Sequence, residues 1–425
     1  MTRILIITIG SRGDIQPFVA LGQRLLSAGY EVALQTAESY RPFVEGHAVP
    51  YMHMNNDFME LTESKSGQAA TEGKNSLALI REVMPRLRSM LHDEWAAAQA
   101  FQPDAIIYHP KSLGSRHIAE ALKIPAIMSL SLPLSTPTRA YPTPIMYGVK
   151  LGGAFNRFSY RFVDLATAPY AGMINEFRQT QLGLPKAGRF ASDLMTTSGQ
   201  PVPVLYAYSP HVVPVPEDYP PSVHVTGYWF LEADPAWKPS PELLRFLEAG
   251  APPVYVGFGS MSGAKAQARA QMVIEALKQA GQRGVLASGW GGLKAAELPE
   301  GIFMLDQAPH DWLFPRMAAV VHHGGAGTTA AGLRAGKPSV IVPFIADQPF
   351  WGRVVHDLGA GPAPIPQNRL SVAGLSGAIR QAATDSAMRA KAEALGATLR
   401  AEDGLGNAVA ALGRLLPQPV AVASP

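Results

Sequence analysis

Two periods of apolar residues run through the chain. Ile4 to Ile9 is an unbroken apolar run rich in β-branched residues, as expected of a strand buried on both faces. The turn Gly10-Ser11-Arg12-Gly13-Asp14 follows. In PFVALGQRLLSAG (17–29), Phe18, Leu21, Leu25 and Leu26 share one helical face, Pro17 suits a first turn and Gly29 suits the stop. EVALQT (31–36) then reads as a second strand. Strand, glycine turn, helix, strand predicts a βαβ unit and therefore a parallel sheet. PDAIIYH (103–109), SRHIAEALKI (115–124) and PAIMSLS (125–131) continue the pattern.

The same grammar restarts in the second half. VYVGFGSM (254–261) is a strand with a glycine turn, Gln267 to Ala280 a helix and GVLAS (284–288) a strand. AAVVHHGG (318–325) and SVIVPF (339–344) are further strands, with a helix over Thr328 to Ala335 between them. Prolines crowd residues 199–241, which read as the connection between the halves, although VPVLYAY (202–208) and VHVTGY (223–228) have strand character. The expected fold is α/β: two facing doubly wound Rossmann-like domains with a cleft between them. The predicted boundaries are 1–205 for the first domain, 206–240 for the linker, 241–405 for the second domain and 406–425 for a tail. In such sheets ligands sit beyond the carboxyl ends of the strands, where each of these glycine turns lies.

Composition narrows the function classes. With 425 residues, 47% hydrophobic and 16% charged, the chain can build two large cores and is not a disordered polyelectrolyte. A net charge of +3 with no run of Lys or Arg gives no nucleic-acid footprint. The absence of cysteine excludes disulfides, thiolate catalysis and cysteine metal sites. The apolar run in MTRILIITIG suits a strand better than a signal peptide, and no apolar stretch reaches the roughly 20 residues of a membrane helix. A cytoplasmic protein is expected.

The densest chemistry lies in HHGGAGTTAAGLRAGKPSVIVPFIADQ (322–348). A glycine turn between a strand and a helix offers free backbone N–H groups and the positive end of a helix dipole, which suits an anion such as a phosphate. Thr328 adds a hydroxyl, and a histidine at the strand end can donate an N–H to phosphate oxygen. There is no Asp-x-Asp and no histidine–carboxylate cluster at ligand spacing, so no metal is implied.

This segment resembles the donor-binding signature of GT-B nucleotide-sugar glycosyltransferases of the glycosyltransferase 1 family. The closest likeness is to sterol 3-β-glucosyltransferases of bacteria and fungi and to antibiotic-aglycone (macrolide and glycopeptide) glycosyltransferases. GSRGDIQPFVALG (10–22), YSPHVVPVPEDYPPSVHVTGYWF, VYVGFGSM, ASGWGGL and APHDWLFP are similar to motifs of the same group. The resemblance implies an N-terminal acceptor domain and a C-terminal nucleotide-sugar domain. It implies that His323 contacts the donor's α-phosphate, that Gly325, Ala326, Gly327 and Thr328 hold the β-phosphate, and that Asp347 and Gln348 bind the sugar hydroxyls. Gly259 and Ser260 would add phosphate contacts or form a simple turn. Gln307 stands where plant-type relatives carry a base-stacking tryptophan, and Trp290 would supply that face instead or pack in the core. Ala331 stands where those relatives carry a ribose-binding glutamate.

For the acceptor side, the resemblance places Asp14 where other members have a catalytic histidine and His109 where they have its aspartate. The expected pair is therefore reversed: Asp14 as base and His109 as partner. The alternatives are a helix-capping role for Asp14 and an ordinary strand-end position for His109. Ser11 and Arg12 in the same loop would reach the diphosphate. The implied reaction is inverting transfer of a sugar, glucose from UDP-glucose, with dTDP-sugars as the other donor, to a hydroxyl of a sterol, triterpenoid, polyketide or macrolide. No cofactor is needed beyond the nucleotide sugar. A 2-epimerase-like enzyme or a non-catalytic auxiliary homologue are the alternatives. Residues 129–180, rich in Pro, Met and aromatics, would line an apolar acceptor site or pack in the core. Lys150, Phe155, Arg157, Tyr160 and Arg161 within them suggest a weak contact with a membrane surface.

Overall fold

The computed structural model describes residues 1–56, 76–188, 194, 199–258, 266–287 and 298–416. The chain divides into two compact units. The first comprises Met1–Pro210, Pro214–Leu231 and the chain from Asp403 onward, and the second comprises His211–Val213 and Glu232–Glu402.

The first unit begins with β1 (Arg3–Ile7), α1 (Arg12–Ser27), β2 (Glu31–Ala37), β3 (Tyr51–Met54), α2 (Ser76–Phe101), β4 (Ala105–Tyr108), α3 (Ser115–Leu122) and β5 (Ala126–Leu130). After α4 (Gly153–Ser159), α5 (Arg161–Thr167) and α6 (Ala171–Thr180) come β6 (Val204–Tyr206) and β7 (Val223–Val225). All pairings are parallel, in the order β3-β2-β1-β4-β5-β6-β7. The apolar runs of β1, β4 and β5 are buried on both faces, as their composition requires. Ile4 and Ile6 of β1 pack with Ile15, Val19 and Leu21 of α1. Each such fully buried aliphatic contributes about 1.5–3 kcal/mol.

Helix α1 starts earlier than its proline suggests. Ser11 is the N-cap and Asp14 the third helical residue, so Pro17 sits inside the helix rather than in its first turn. Having no N–H, Pro17 cannot bond the carbonyl of Gly13.

The second unit holds β8 (Val254–Gly257), α7 (Ala266–Ala280), β9 (Gly284–Ala287), β10 (Ile302–Leu305), β11 (Ala319–His322), α8 (Ala326–Arg334), β12 (Ser339–Ile341) and α9 (Gln348–Asp357). Its strands are parallel in the order β10-β9-β8-β11-β12. Helix α8 starts at Ala326, two residues before the expected Thr328. Helices α10 (Val372–Thr384) and α11 (Ser386–Ala401) follow.

Two segments depart from the expected organisation. The proline-rich stretch expected as a connection contributes β6 and β7 to the first sheet, and apart from His211–Val213 the chain stays in the first unit as far as Leu231. Much of the expected tail is α12 (Gly404–Leu415), which packs Ala408, Ala411 and Leu412 into the core of the first unit beside α1. Arg24 of α1 pairs with Asp403 at 2.8 Å, and the Asn407 amide donates to the Thr226 carbonyl at 2.9 Å.

Candidate active site

In the first unit, strand register gathers the chemistry. Ile7 of β1 lies opposite Tyr108 of β4, and the N–H of His109 donates to the Ile7 carbonyl at 2.9 Å. The loops leaving these two strands therefore emerge side by side. One carries Ser11, Arg12 and Asp14; the other carries His109 and Lys111. The Asp14 carboxylate accepts from the Ser11 N–H at 2.8 Å and from its hydroxyl at 3.0 Å. Its other oxygen lies 2.8 Å from Lys111 Nζ and 3.7 Å from His109 Nε2. Gly10 is required here: its φ is +132°, and an added Cβ would meet the Asp14 carboxylate and Lys111 Nζ.

These contacts set the charges. Burial would raise the Asp14 pKa, but the Lys111 ammonium, His109 and the Ser11 N–H outweigh it and hold the carboxyl below its ordinary value. His109 is pushed down to about 4, chiefly by burial, and is neutral at physiological pH. Its Nδ1 accepts the Lys111 backbone N–H at 3.2 Å, so the proton of the neutral ring is on Nε2, facing Asp14. Both side chains line a small cavity with Phe18, Ser129, Leu130 and Trp229. The His109 ring packs edge-on to Phe18, and Phe18 edge-on to Trp229, whose indole N–H donates to Thr226 Oγ1 at 3.0 Å. Arg12 does not point toward Asp14. Its guanidinium lies over the Phe43 ring, 4.6 Å from the centroid, and bonds Gln16.

The loop bearing His109 and Lys111 is anchored from below. Ser112 Oγ donates to the buried Glu94 carboxylate at 2.7 Å, and Ser115 Oγ to the same oxygen at 3.3 Å. Burial pushes the Glu94 pKa up to about 7 against these hydrogen bonds. Beyond this loop a second cavity, of ≈ 50 Å³, is lined by Tyr108, Pro110, Leu113, Met128 and Ile174 among others.

The second unit repeats the arrangement. His322 of β11 pairs with Ile341 of β12, so the glycine turn and the Asp347-Gln348 loop leave the same sheet end. The two neighbouring histidines differ. His322 is fully buried, its Nδ1 accepts the Gly324 N–H at 3.1 Å, and burial holds it neutral. His323, partly exposed, places its ring against Gly325, where an added Cβ would lie 2.6 Å from Nε2. Burial lowers its pKa as well. Gly324, at φ +91°, leaves room for Ile341 and for the Gln348 carbonyl. Gly325 caps α8 without a side-chain acceptor, and no acidic residue occupies the first turn. The N-terminal N–H groups of Ala326, Gly327 and Thr328 are therefore open to an external anion. Asp347 accepts the Trp351 indole N–H at 3.0 Å, and the Gln348 amide oxygen accepts the N–H groups of Phe344 and Ile345 at 2.7 and 3.1 Å. Gln307 is exposed in the loop after β10, and Ala331 packs against the apolar cluster around Val320. Gly259, Ser260 and Trp290 lie outside the described residues. Among the described residues, no group of three or more His, Asp or Glu is arranged to hold a metal.

Residues 4–142 match the glycosyltransferase family 28 N-terminal domain, and residues 290–412 match the erythromycin biosynthesis protein CIII-like C-terminal domain. The chain is 39% identical over 428 residues to sterol 3-beta-glucosyltransferase UGT80B1 of Arabidopsis thaliana, covering 98% of this chain and 68% of that protein. The chain belongs to the GT-B glycosyltransferases. A sterol 3-beta-glucosyltransferase of Neosartorya fischeri is 38% identical over 97% of this glycosyltransferase, which spans only 29% of the fungal protein. The solved glycosyltransferase of kitacinnamycin shares the fold at a TM-score of 0.73 and 19% identity, covering 98% of this chain and 99% of that one. As a GT-B glycosyltransferase the protein depends on a nucleotide sugar. Lys111 was not legible as a site residue: it follows the strand-end His109 by two positions, but its meaning depends on β1 and β4 being neighbours. Trp229 was hidden in the same way, inside the expected linker.

Proposed function

We propose that this glycosyltransferase moves glucose from UDP-glucose to the hydroxyl of a sterol or similar flat polycyclic alcohol, with inversion at the anomeric carbon and no metal. The names of its relatives support the sugar and the acceptor class. The observation that carries the mechanism is the Asp14 carboxylate, ionised and turned toward an apolar cavity beside neutral His109. The acceptor hydroxyl attacks C1, the bond to the diphosphate oxygen breaks, and Asp14 takes the hydroxyl proton. A carboxylate of low basicity suffices because the attacking oxygen becomes acidic as its bond to carbon forms. His109 Nε2–H orients Asp14. On the donor side, the His323 ring and the open N–H groups of α8 offset the charge that develops on the leaving diphosphate, and Asp347 and the Gln348 amide group hold sugar hydroxyls.

Two experiments test this reading. In a thermal-shift titration with UDP, dTDP, GDP and ADP, UDP raises the melting temperature of the wild type and has no effect on His323→Ala. A shift with none of the four, or an equal shift in the variant, removes the donor-site assignment. Asp14→Asn abolishes transfer to a sterol while leaving the UDP shift intact; undiminished turnover would remove Asp14 as base.

A further inference from the structure

The surface of the first unit that its own core explains least is the outer face of α4 and α5. Tyr160, between them, keeps helical dihedrals (φ −67°, ψ −17°), so residues 153–167 run almost as one helix. A helix lying on a core turns its apolar side inward. Here the inward residues include Asn156 and Ser159, tied to the chain beneath by Asn156 Nδ2 to the Arg139 carbonyl at 2.9 Å and by the Thr143 N–H to Ser159 Oγ at 2.7 Å. The outward residues are Ala154, Phe158, Phe162 and Leu165, at spacings that share one helical face. Phe158 is 59%, Phe162 42% and Leu165 55% exposed, and the two phenyl rings pack edge to face. In the turn and loop leading into α4, Ile145, Val149 and Leu151 are exposed as well.

Charge says what would cover this face. Between Glu120 and Asp164 the sequence has no acidic residue, while Arg139, Lys150, Arg157 and Arg161 are all exposed. The nearby acids are Asp164, 3.9 Å from Arg161, and Asp218, whose carboxylate bonds Thr138 and the Arg139 N–H. Arg157 and Arg161 each directly precede an outward phenylalanine, so the apolar stripe is edged by cations along its length.

We propose that this face docks the first unit on an anionic lipid bilayer. Phe158, Phe162 and Leu165 enter the boundary between headgroups and acyl chains, and Arg157 and Arg161, which edge the stripe, reach the anionic headgroups. A lipophilic acceptor is concentrated in that layer, so docking brings the acceptor unit to its substrate; this purpose rests on the function proposed above. The docking itself is measured without donor or acceptor, so the two readings fail separately.

The test is flotation of the full chain with vesicles of phosphatidylcholine alone and of phosphatidylcholine with phosphatidylserine. The wild type floats with the phosphatidylserine vesicles, less so at high salt. Phe158→Ser with Phe162→Ser abolishes flotation, and Arg157→Gln with Arg161→Gln weakens it by about 25-fold, from roughly 1 kcal/mol for each basic residue lost. Unchanged melting curves of these exposed-site variants show that folding is intact. No flotation with either vesicle, or flotation that both double variants retain, overturns the proposal. So does a wild-type dimer that the phenylalanine variant splits, which would make the face a contact between copies. Lost transfer to a water-soluble acceptor with flotation intact would also overturn it, marking the face as acceptor lining.

Discussion

Replacing Lys111 with Met tests what holds Asp14 in its working charge state. The ammonium lies 2.8 Å from the carboxylate, with 42% of the lysine side chain and 22% of the aspartate exposed. In the aqueous limit Coulomb attraction at this distance is about 1.5 kcal/mol, about tenfold in acidity of the carboxyl, and the partial burial of the pair makes this a lower bound. Once the ammonium is removed, burial of Asp14 is opposed only by His109 and the Ser11 hydrogen bonds, and its pKa rises. Because the base proposed above must be ionised, activity is expected to fall as pH drops through that pKa. The acid limb of kcat/KM therefore moves to higher pH in Lys111→Met, with the alkaline side unchanged. His109, protonated only below about 4, contributes no limb near neutrality. The assay is a pH profile of sterol glucosylation for wild type and variant, with a UDP thermal shift confirming an intact donor site. Superimposable acid limbs would refute the coupling of Lys111 to Asp14.

Two further predictions concern stability. Glu94 has its pKa raised from 4.5 to about 7 in the fold, so between these values the native state holds a proton that the unfolded chain has lost. Stability is full below that window and falls by about 3 kcal/mol as pH rises through it; Glu94→Gln flattens the decline, as read by denaturant midpoints from pH 5 to 8, and an unchanged slope would show that Glu94 stays ionised. Gly324→Ala places a Cβ 2.7 Å from Ile341 Cγ2 at a φ of +91°, costing roughly 2–4 kcal/mol and weakening UDP binding. A loss below 1 kcal/mol in urea denaturation, with UDP binding intact, would mean the turn relaxes freely.

The elements of the fold were legible wherever burial was complete. Strands β1, β4 and β5 are covered on both faces, so their apolar runs leave no ambiguity of type. The three-residue strands β6 and β7 had strand character in the sequence, but the prolines around them gave no sign that they extend the first sheet, with β7 at its edge. At the candidate site, the family resemblance singled out Asp14, His109 and His323 by their positions in its motifs, and the register of β1 and β4 brings the first two side by side. The resemblance did not disclose Lys111, since nothing local says that β1 lies next to β4. The difference between His322 and His323 follows from where β11 ends: His322 is its last residue, buried in the sheet, and His323 opens the glycine turn, partly exposed.

The return of α12 to the first unit has a consequence for how the protein is made and recombined. That unit is discontinuous in sequence: its core lacks Ala408, Ala411 and Leu412 until α12 is translated, whereas the second unit is complete by Glu402. On the ribosome the second unit can therefore finish folding while the first unit still waits for α12. A hybrid enzyme made by joining two parents at a single crossover pairs one parent's α1 with the other's α12. A hybrid with crossovers at both Leu231–Glu232 and Glu402–Asp403 exchanges residues 232–402 as a cassette and leaves the core of the first unit in its parental form.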